Sequence, residues 1–314
     1  MRVLISGGAG FIGSHIVAQA VAAGFEVAVL DNLSTGKREN VPAGVKLFTV
    51  DLRDRDATLA ALRDFDPELV SHQAAQASVP ISMRDPRLDA EVNVIGGINL
   101  LDACTAPKSR VQKCVFASTG GAIYGEVPDG QSASESFALE PKSPYGIHKL
   151  TFEKLLAVYG QSRGLSHTVL RYANVYGPRQ DPHGEAGVVA IFFDAALAAK
   201  KLTVFAKKSE GDGGCIRDYV YVGDAARANL LAMQGKLPHA VMNVGSGQAT
   251  TTLELARQIV SLTGSSSSIE QGGVRAGDIE RSLLDVSRFE QTLGPVTPLA
   301  VGLAETARWY RERA

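Results

Sequence analysis

The stretch VLISGGAGFIGSHIVAQAVAAGFEVAVLDN, residues 3–32, decides the fold. It reads as strand, glycine turn, helix, strand. Val3 to Ser6 is a short apolar, β-rich run, and Gly7, Gly10 and Gly13 follow at a three-residue period. Phe11, Ile12, Ile16, Val17, Ala20 and Val21 then recur at helical spacing. Gly24 stands where a helix C-cap belongs, and Phe25 to Leu30 forms a second apolar strand. A strand that turns at once into a helix needs backbone angles that side chains forbid. A pyrophosphate docked on the helix N-terminus needs bare N–H groups close by, and the third glycine lets the helix pack on the strand. Asp31 ends the second strand, 18 residues past Gly13. A carboxylate there accepts hydrogen bonds from both ribose hydroxyls of an adenosine and repels a 2′-phosphate, which favours NAD over NADP.

The same alternation continues outward. Strands are expected over Val45–Val50, ending at Asp51, and over Leu69–His72, Lys113–Ser118 and Ser166–Arg171. Helices are expected over Ala57–Phe65, Leu88–Cys104 and Tyr145–Gln161, the last closed by Gly164. Repeated βα units imply an α/β fold, a doubly wound parallel sheet of Rossmann type with helices on both faces. Such sheets bind ligands at the carboxyl ends of their strands, where Asp31, Asp51, Ser118 and Arg171 fall, so these four are expected to face one cleft. After Gly177 the pattern loosens. Helices are expected over Val188–Ala199, Asp224–Met233, Leu253–Leu262 and Leu299–Glu312, and strands over Thr203–Phe205, Ile216–Tyr221 and Val241–Val244. Ser265–Ser268 reads as a mobile loop tip. The expected division is a dinucleotide-binding domain over residues 1–176, with elements returning near 216–245. A second, smaller α/β substrate lobe then takes residues 177–215 and 246–314, with the substrate held between the two.

The chain of 314 residues is 45% hydrophobic with a net charge of −1, and it shows no basic stripe, which argues against nucleic-acid or anionic-membrane partners. No apolar run approaches a membrane span, and the N-terminus enters a strand without a charged leader, so a cytoplasmic protein is expected. The three cysteines, Cys104, Cys114 and Cys215, form no CxxC pair and read as reduced, mostly buried thiols. The six histidines are scattered without metal-ligand spacing, so no metal is expected.

Tyr145 and Lys149 stand four apart in SPYGIHKLTFEK, on one face of an expected helix. A free tyrosine, with a pKa of ~10, is a poor base at neutral pH. A neighbouring ammonium and a positive nicotinamide ring both favour the phenolate, and the lysine can also hold the nicotinamide ribose.

With these residues in view, the chain resembles the extended short-chain dehydrogenase/reductase superfamily. Within it the nearest pattern is the nucleotide-sugar epimerase group, the UDP-glucose (UDP-galactose) 4-epimerases. The landmarks are GGAGFIG, DNLSTG, HQAAQASV at residues 72–79, NVIGGINLLDA from Asn93, ASTGGAIYGE, PYGIHK, LRYANVYGPRQ, IRDYVYVGD and RAGDIERSLLD. The resemblance implies that Gly7, Gly10, Phe11, Ile12, Gly13, Asp31, Asn32, Ser34 and Gly36 line the cofactor. It implies that Asp51 and Leu52 flank the adenine. Ala74, Ala75 and Gln76 would cover the cofactor diphosphate and nicotinamide ribose, and Asn93, Tyr145 and Lys149 complete that set. Asn174, Arg217 and Arg275 would take the sugar-nucleotide diphosphate and Asp278 the uridine ribose, with Thr203 and Phe205 also on the substrate side. A guanidinium suits diphosphate because its planar fork donates in pairs.

Two departures matter. Many epimerases carry SSSATVYG, and alignment on IYG puts Gly120 at the third serine, so Thr119 or Ser118 must supply the hydroxyl, with Thr119 favoured. Gly120 and Gly121 also replace the acidic pair of the related dehydratases, so dehydration is not expected. Four residues past Asp278, where some epimerases have a bulky tyrosine beside sugar carbon 2, stands Ser282, which leaves room for an N-acetyl group. The resemblance thus implies an NAD-dependent isomerase, a homodimer of galactose metabolism, that interconverts UDP-galactose and UDP-glucose through a 4-keto intermediate and acts also on N-acetylated UDP-hexoses. Its rivals are an epimerase for another sugar, a decarboxylase, a reductase, or a non-catalytic NAD sensor.

Overall fold

The computed structural model describes residues 1–183, 187–275 and 278–312. The chain begins β1 (Arg2–Ser6), α1 (Phe11–Ala22), β2 (Glu26–Asp31), β3 (Lys46–Thr49), α2 (Arg55–Phe65) and β4 (Leu69–His72). Next come α3 (Val79–Arg84), α4 (Pro86–Ala90), a π-helical turn (Glu91–Ile95), α5 (Gly96–Cys104), β5 (Lys113–Thr119) and a short α6 (Gly120–Ile123). The long α7 (Pro144–Arg163) leads into β6 (Ser166–Tyr172), β7 (Asn174–Tyr176), α8 (Val188–Leu197), β8 (Leu202–Ala206), β9 (Ile216–Arg217) and β10 (Tyr219–Tyr221). The remainder is α9 (Val222–Met233), β11 (Val241–Val244), β12 (Thr250–Thr251), α10 (Thr252–Thr263), β13 (Ile269–Val274), β14 (Arg281–Ser282), α11 (Ser287–Leu293) and α12 (Leu299–Arg311).

Seven strands form one parallel sheet in the order β11-β6-β5-β4-β1-β2-β3. The order reverses direction between β1 and β4, the topological switch at which doubly wound sheets bind ligands. β1 is paired on both sides, Leu4 with Ala28 and with Val70, and its Val3, Leu4 and Ile5 are fully buried, as a strand covered on both faces requires. The core beside it gathers Leu30, Leu62, Phe65, Leu100, Leu101, Phe116, Phe152 and Leu156.

The chain divides into two compact units. The first comprises residues 1–119, 143–171 and 225–242. The second comprises residues 120–142, 172–224 and 243–314. Its small sheets are β10-β7, β12-β9-β14 and β13-β8. Its core packs Val189, Phe192, Phe193, Leu202, Val204, Leu255, Ile259, Leu303 and Ala307.

Four expectations need correction. The run Ile216–Tyr221 is two strands, because β9 and β10 belong to different sheets and the chain breaks at Asp218. The cause is polar: Asp218 is 1% exposed and its carboxylate accepts from Ser246 N (2.7 Å), Ser246 Oγ (2.8 Å) and Gly247 N (3.1 Å). The helix expected over residues 88–104 is interrupted by the π turn, which inserts an extra residue per turn. Arg171 does not face a cleft; it is 4% exposed and bound to Glu153. The loop at Ser265–Ser268 is tied down, since Ser265 Oγ donates to the Ala196 carbonyl at 2.6 Å.

The three cysteines are free and buried, and burial pushes the Cys114 thiol up to about 12. Among the described residues no helix is long and apolar enough to cross a membrane, and no group of His, Cys, Asp or Glu could hold a metal.

Candidate active site

The first unit builds its site at the ends of β1, β2, β4 and β5. Gly7 has φ +69°, and a Cβ there would stand 2.5 Å from the Ala74 amide nitrogen. A Cβ at Gly13 would collide with the Gly7 carbonyl oxygen. The turn is therefore closed against the loop after β4 and against the start of α1, and only glycine fits either place. Helix α1 begins at Gly10 without a side-chain cap, so the first-turn N–H groups of Phe11, Ile12 and Gly13 have no side chain competing for them. Asp31 is 7% exposed; Oδ2 accepts from Ala9 N at 3.0 Å and Oδ1 from Leu33 N at 2.8 Å. Each oxygen keeps a second lone-pair site for a ribose hydroxyl. Gly36 lies against that carboxylate, where a Cβ would sit 2.7 Å from Oδ1.

Beside it, Asn32 Nδ2 donates to Asp51 at 3.0 Å, and Asn32 Oδ1 accepts from Ser34 N and Oγ. The Arg53 guanidinium, hydrogen-bonded to Asp51, holds that carboxyl well below the usual carboxylate range. Leu52, the next residue, is buried in the core against Gly96 of α5. These residues present a bare anion-binding helix end and a buried carboxylate with lone pairs left for a ribose, which fit a dinucleotide.

Across the switch point, Tyr145 and Lys149 lie one helical turn apart on α7. Lys149 is 4% exposed; its ammonium donates to the Ala117 carbonyl at 2.9 Å and sits 5.8 Å from the Tyr145 ring centroid. The pair expected from the sequence is thus brought together at the end of β5. The neighbouring hydroxyls part ways because successive strand side chains alternate faces. Ser118 Oγ donates to Glu153 Oε1 at 2.5 Å, and Arg171 closes on Glu153 through Nε (3.0 Å) and Nη2 (2.6 Å). Thr119, 8% exposed, makes no such hydrogen bond among the described residues. His72, at the end of β4, is fully buried, bonded through Nδ1 to Ser6 Oγ at 2.7 Å. Burial, reinforced by the Lys149 charge, pulls its pKa down to about 3.

The loop after β4 is clasped by Asn93. Its Oδ1 accepts from Gln76 N at 3.0 Å, and its Nδ2 donates to the Gln76 carbonyl at 2.9 Å. Ala74 stands against Gly7, and Ala75 is half-buried.

The second unit holds the residues expected on the substrate side. Arg217 on β9 lies in register with Thr250 and Ser282, and its Nη1 donates to the Ile216 carbonyl at 3.0 Å. Ser282 is 2% exposed. Asn174 Nδ2 donates to the Asp218 carbonyl at 3.1 Å. Arg275, half-exposed, stacks its guanidinium 4.9 Å from the Phe205 ring centroid and stands 3.9 Å from Asp278. Thr203 and Phe205 are on β8, with Phe205 40% exposed.

Tyr219 adds a group that motif reading passed over. It is 3% exposed, and its hydroxyl has no hydrogen-bond partner among the described residues. Burial pushes its phenol up, while Arg217 pulls the other way.

Residues 3–245 match the family model described as "NAD dependent epimerase/dehydratase family". The chain is similar to the structure of Thermus thermophilus UDP-glucose 4-epimerase in complex with NAD, at 52% identity and TM-score 0.95, with all of both chains covered. It is similar to the UDP-glucose 4-epimerase of Thermotoga maritima with UDP-glucose, at 43% identity and TM-score 0.93, over 100% of this chain and 99% of that one. A third likeness is to the UDP-N-acetylglucosamine 4-epimerase of Methanobrevibacter ruminantium M1 in complex with UDP-N-acetylmuramic acid, at 33% identity and TM-score 0.89, over 100% and 99% of the two chains.

Proposed function

Because the chain belongs to the NAD-dependent epimerase/dehydratase family, we propose that it is a 4-epimerase that interconverts UDP-galactose and UDP-glucose through a 4-keto sugar. NAD is its cofactor, and the glycine turn, the uncapped start of α1 and Asp31 are the residues that hold it. When bound, NAD supplies the two-electron acceptor that the oxidation of carbon 4 requires.

The observation that carries the reading is the Tyr145–Lys149 pair, with a buried ammonium 5.8 Å from the phenol ring. That charge favours phenolate, so Tyr145 can take the proton of the 4-hydroxyl and later return it. Thr119, whose hydroxyl is not engaged as that of Ser118 is, serves as the second hydrogen-bonding group at the reacting oxygen. Gly120 and Gly121 carry no acid or base, so the chemistry stops at oxidation and reduction. Arg217, Arg275 and Asn174 hold the diphosphate and Asp278 the uridine ribose, with Thr203 and Phe205 also on the substrate side. Binding energy from the nucleotide anchors it while the flat keto sugar turns.

Tyr145→Phe tests the assignment. The variant is expected to keep its NAD and to lose activity by about 10²–10⁴-fold in kcat. Unchanged kcat removes Tyr145 from the mechanism.

The small side chain at Ser282 supports a wider substrate range that includes N-acetylated UDP-hexoses. UDP-N-acetylglucosamine is therefore expected to turn over. No turnover in an assay where UDP-galactose reacts well contradicts this.

The protein is further proposed to be a homodimer. Ile147 (48% exposed) and Val158 (55%) lie eleven residues apart on α7, on one face, and Ile95 (50%) is exposed on the neighbouring helical segment.

A further inference from the structure

We propose that Asp89 and His148 form a positioning clasp that fixes the loop after β4 to the helix carrying Tyr145 and Lys149. The inference rests on the reading above and deepens it. Asp89, on α4, has no solvent exposure. A buried carboxylate must be fully hydrogen-bonded, and this one is shared among three segments of the chain. His148 Nδ1, on α7, bonds Oδ1 at 2.5 Å; with the carboxylate as acceptor, Nδ1 carries the proton. Gln76 Nε2, from the loop after β4, donates to Oδ2 at 2.6 Å. Asn93 Nδ2, one π turn further along the same helical segment, donates to that oxygen at 3.0 Å.

Gln76 is the pivot. Its backbone is held on both sides by Asn93, its Oε1 accepts from Ser78 N at 2.6 Å, and its Nε2 also reaches the Ser78 carbonyl at 3.1 Å. The loop therefore has its geometry set by two amide side chains, those of Gln76 and Asn93, and both stand on Asp89. On the other oxygen, His148 immediately precedes Lys149 and lies three residues after Tyr145. The carboxylate is thus a bridge: one oxygen sets the cofactor loop, the other sets the first turns of α7. Its bonds to His148, Gln76 and Asn93 fix two groups that must keep register with one nicotinamide ring. A misplacement of about 1 Å at a reacting centre costs up to roughly 10²-fold in rate. His148, with 18% of its side chain exposed, acts through Asp89.

The test compares His148→Ala and His148→Phe, which remove the donor, the second keeping ring volume, with His148→Asn, which returns an amide donor near the Nδ1 position. Purified proteins are dialysed and their NAD content followed with time, and kcat and KM for UDP-galactose are measured. The two donor-less variants are expected to lose NAD several-fold faster and to lose roughly tenfold in kcat, with KM within about twofold, and Asn is expected to restore most of both. NAD retention and kcat within about twofold of wild type in the donor-less variants, with only a lowered melting temperature, overturn the clasp. So does an equal loss in the Asn variant. The wild-type protein separates the two levels: conversion of UDP-galactose upholds the parent reading whatever His148 does, and its absence overturns that reading and the clasp with it.

Discussion

His72 shows how one side chain ties stability to pH. Its ring is stacked on Phe116, with centroids 5.6 Å apart, and meets Phe152 edge-on at 5.1 Å, with Ser6 as hydrogen-bond partner, so it is held neutral in the folded state. Its folded pKa of about 3 lies below the ordinary 6.5. Between those values the unfolded chain binds a proton that the native chain refuses, so this contribution is fully present above pH 6.5 and is lost as the pH falls toward 3. From about pH 7 to about pH 5 the wild type is expected to lose about 2 kcal/mol of unfolding free energy that a His72→Gln variant does not lose. Equal losses in urea titrations of both proteins contradict it. The same scale shows what single-residue reading misses. Tyr145, Lys149 and Asp31 announce themselves by spacing, but Ser118 and Thr119 look alike as letters. Alignment on IYG favours Thr119, and the alternation of β5, with Glu153 and Arg171 engaging Ser118, supplies the physical reason.

At the scale of elements, the strand–turn–helix at the N-terminus is legible because each constraint is local. Gly7, Gly10 and Gly13 are read directly, and the observed β1, α1 and β2 fall within a residue of the expected bounds. Gly13→Ala is expected to leave a protein that purifies without NAD or is destabilised by about 1–3 kcal/mol, since the added Cβ meets the Gly7 carbonyl and backbone must move. Wild-type melting temperature and full NAD content contradict that. The break at Asp218 was not legible, because its partners Ser246 and Gly247 are 28 and 29 residues away in a different segment. The π turn at Glu91–Ile95 likewise hides in an unbroken apolar period. The Asp89–His148 bond joins residues 59 apart, and no motif contains both.

At the scale of the molecule, the fold class was legible from the repeated βα units, and membership of the matching family supports the activity independently. Assembly is a separate matter, since an apolar helix face reads the same whether it meets a core or a partner. The Ile147→Glu/Val158→Glu double variant is expected to run as a monomer in size-exclusion chromatography with light scattering, where the wild type runs as a dimer. Identical masses for the two contradict the dimer or its proposed face. The proposed reaction keeps its cofactor and regenerates it at carbon 4 of a sugar nucleotide. It is tested most directly by incubating the purified protein with UDP-galactose, without added NAD, and analysing the products. The account predicts UDP-glucose, approaching the same mixture from either direction; unchanged UDP-galactose from a folded protein that carries NAD contradicts it.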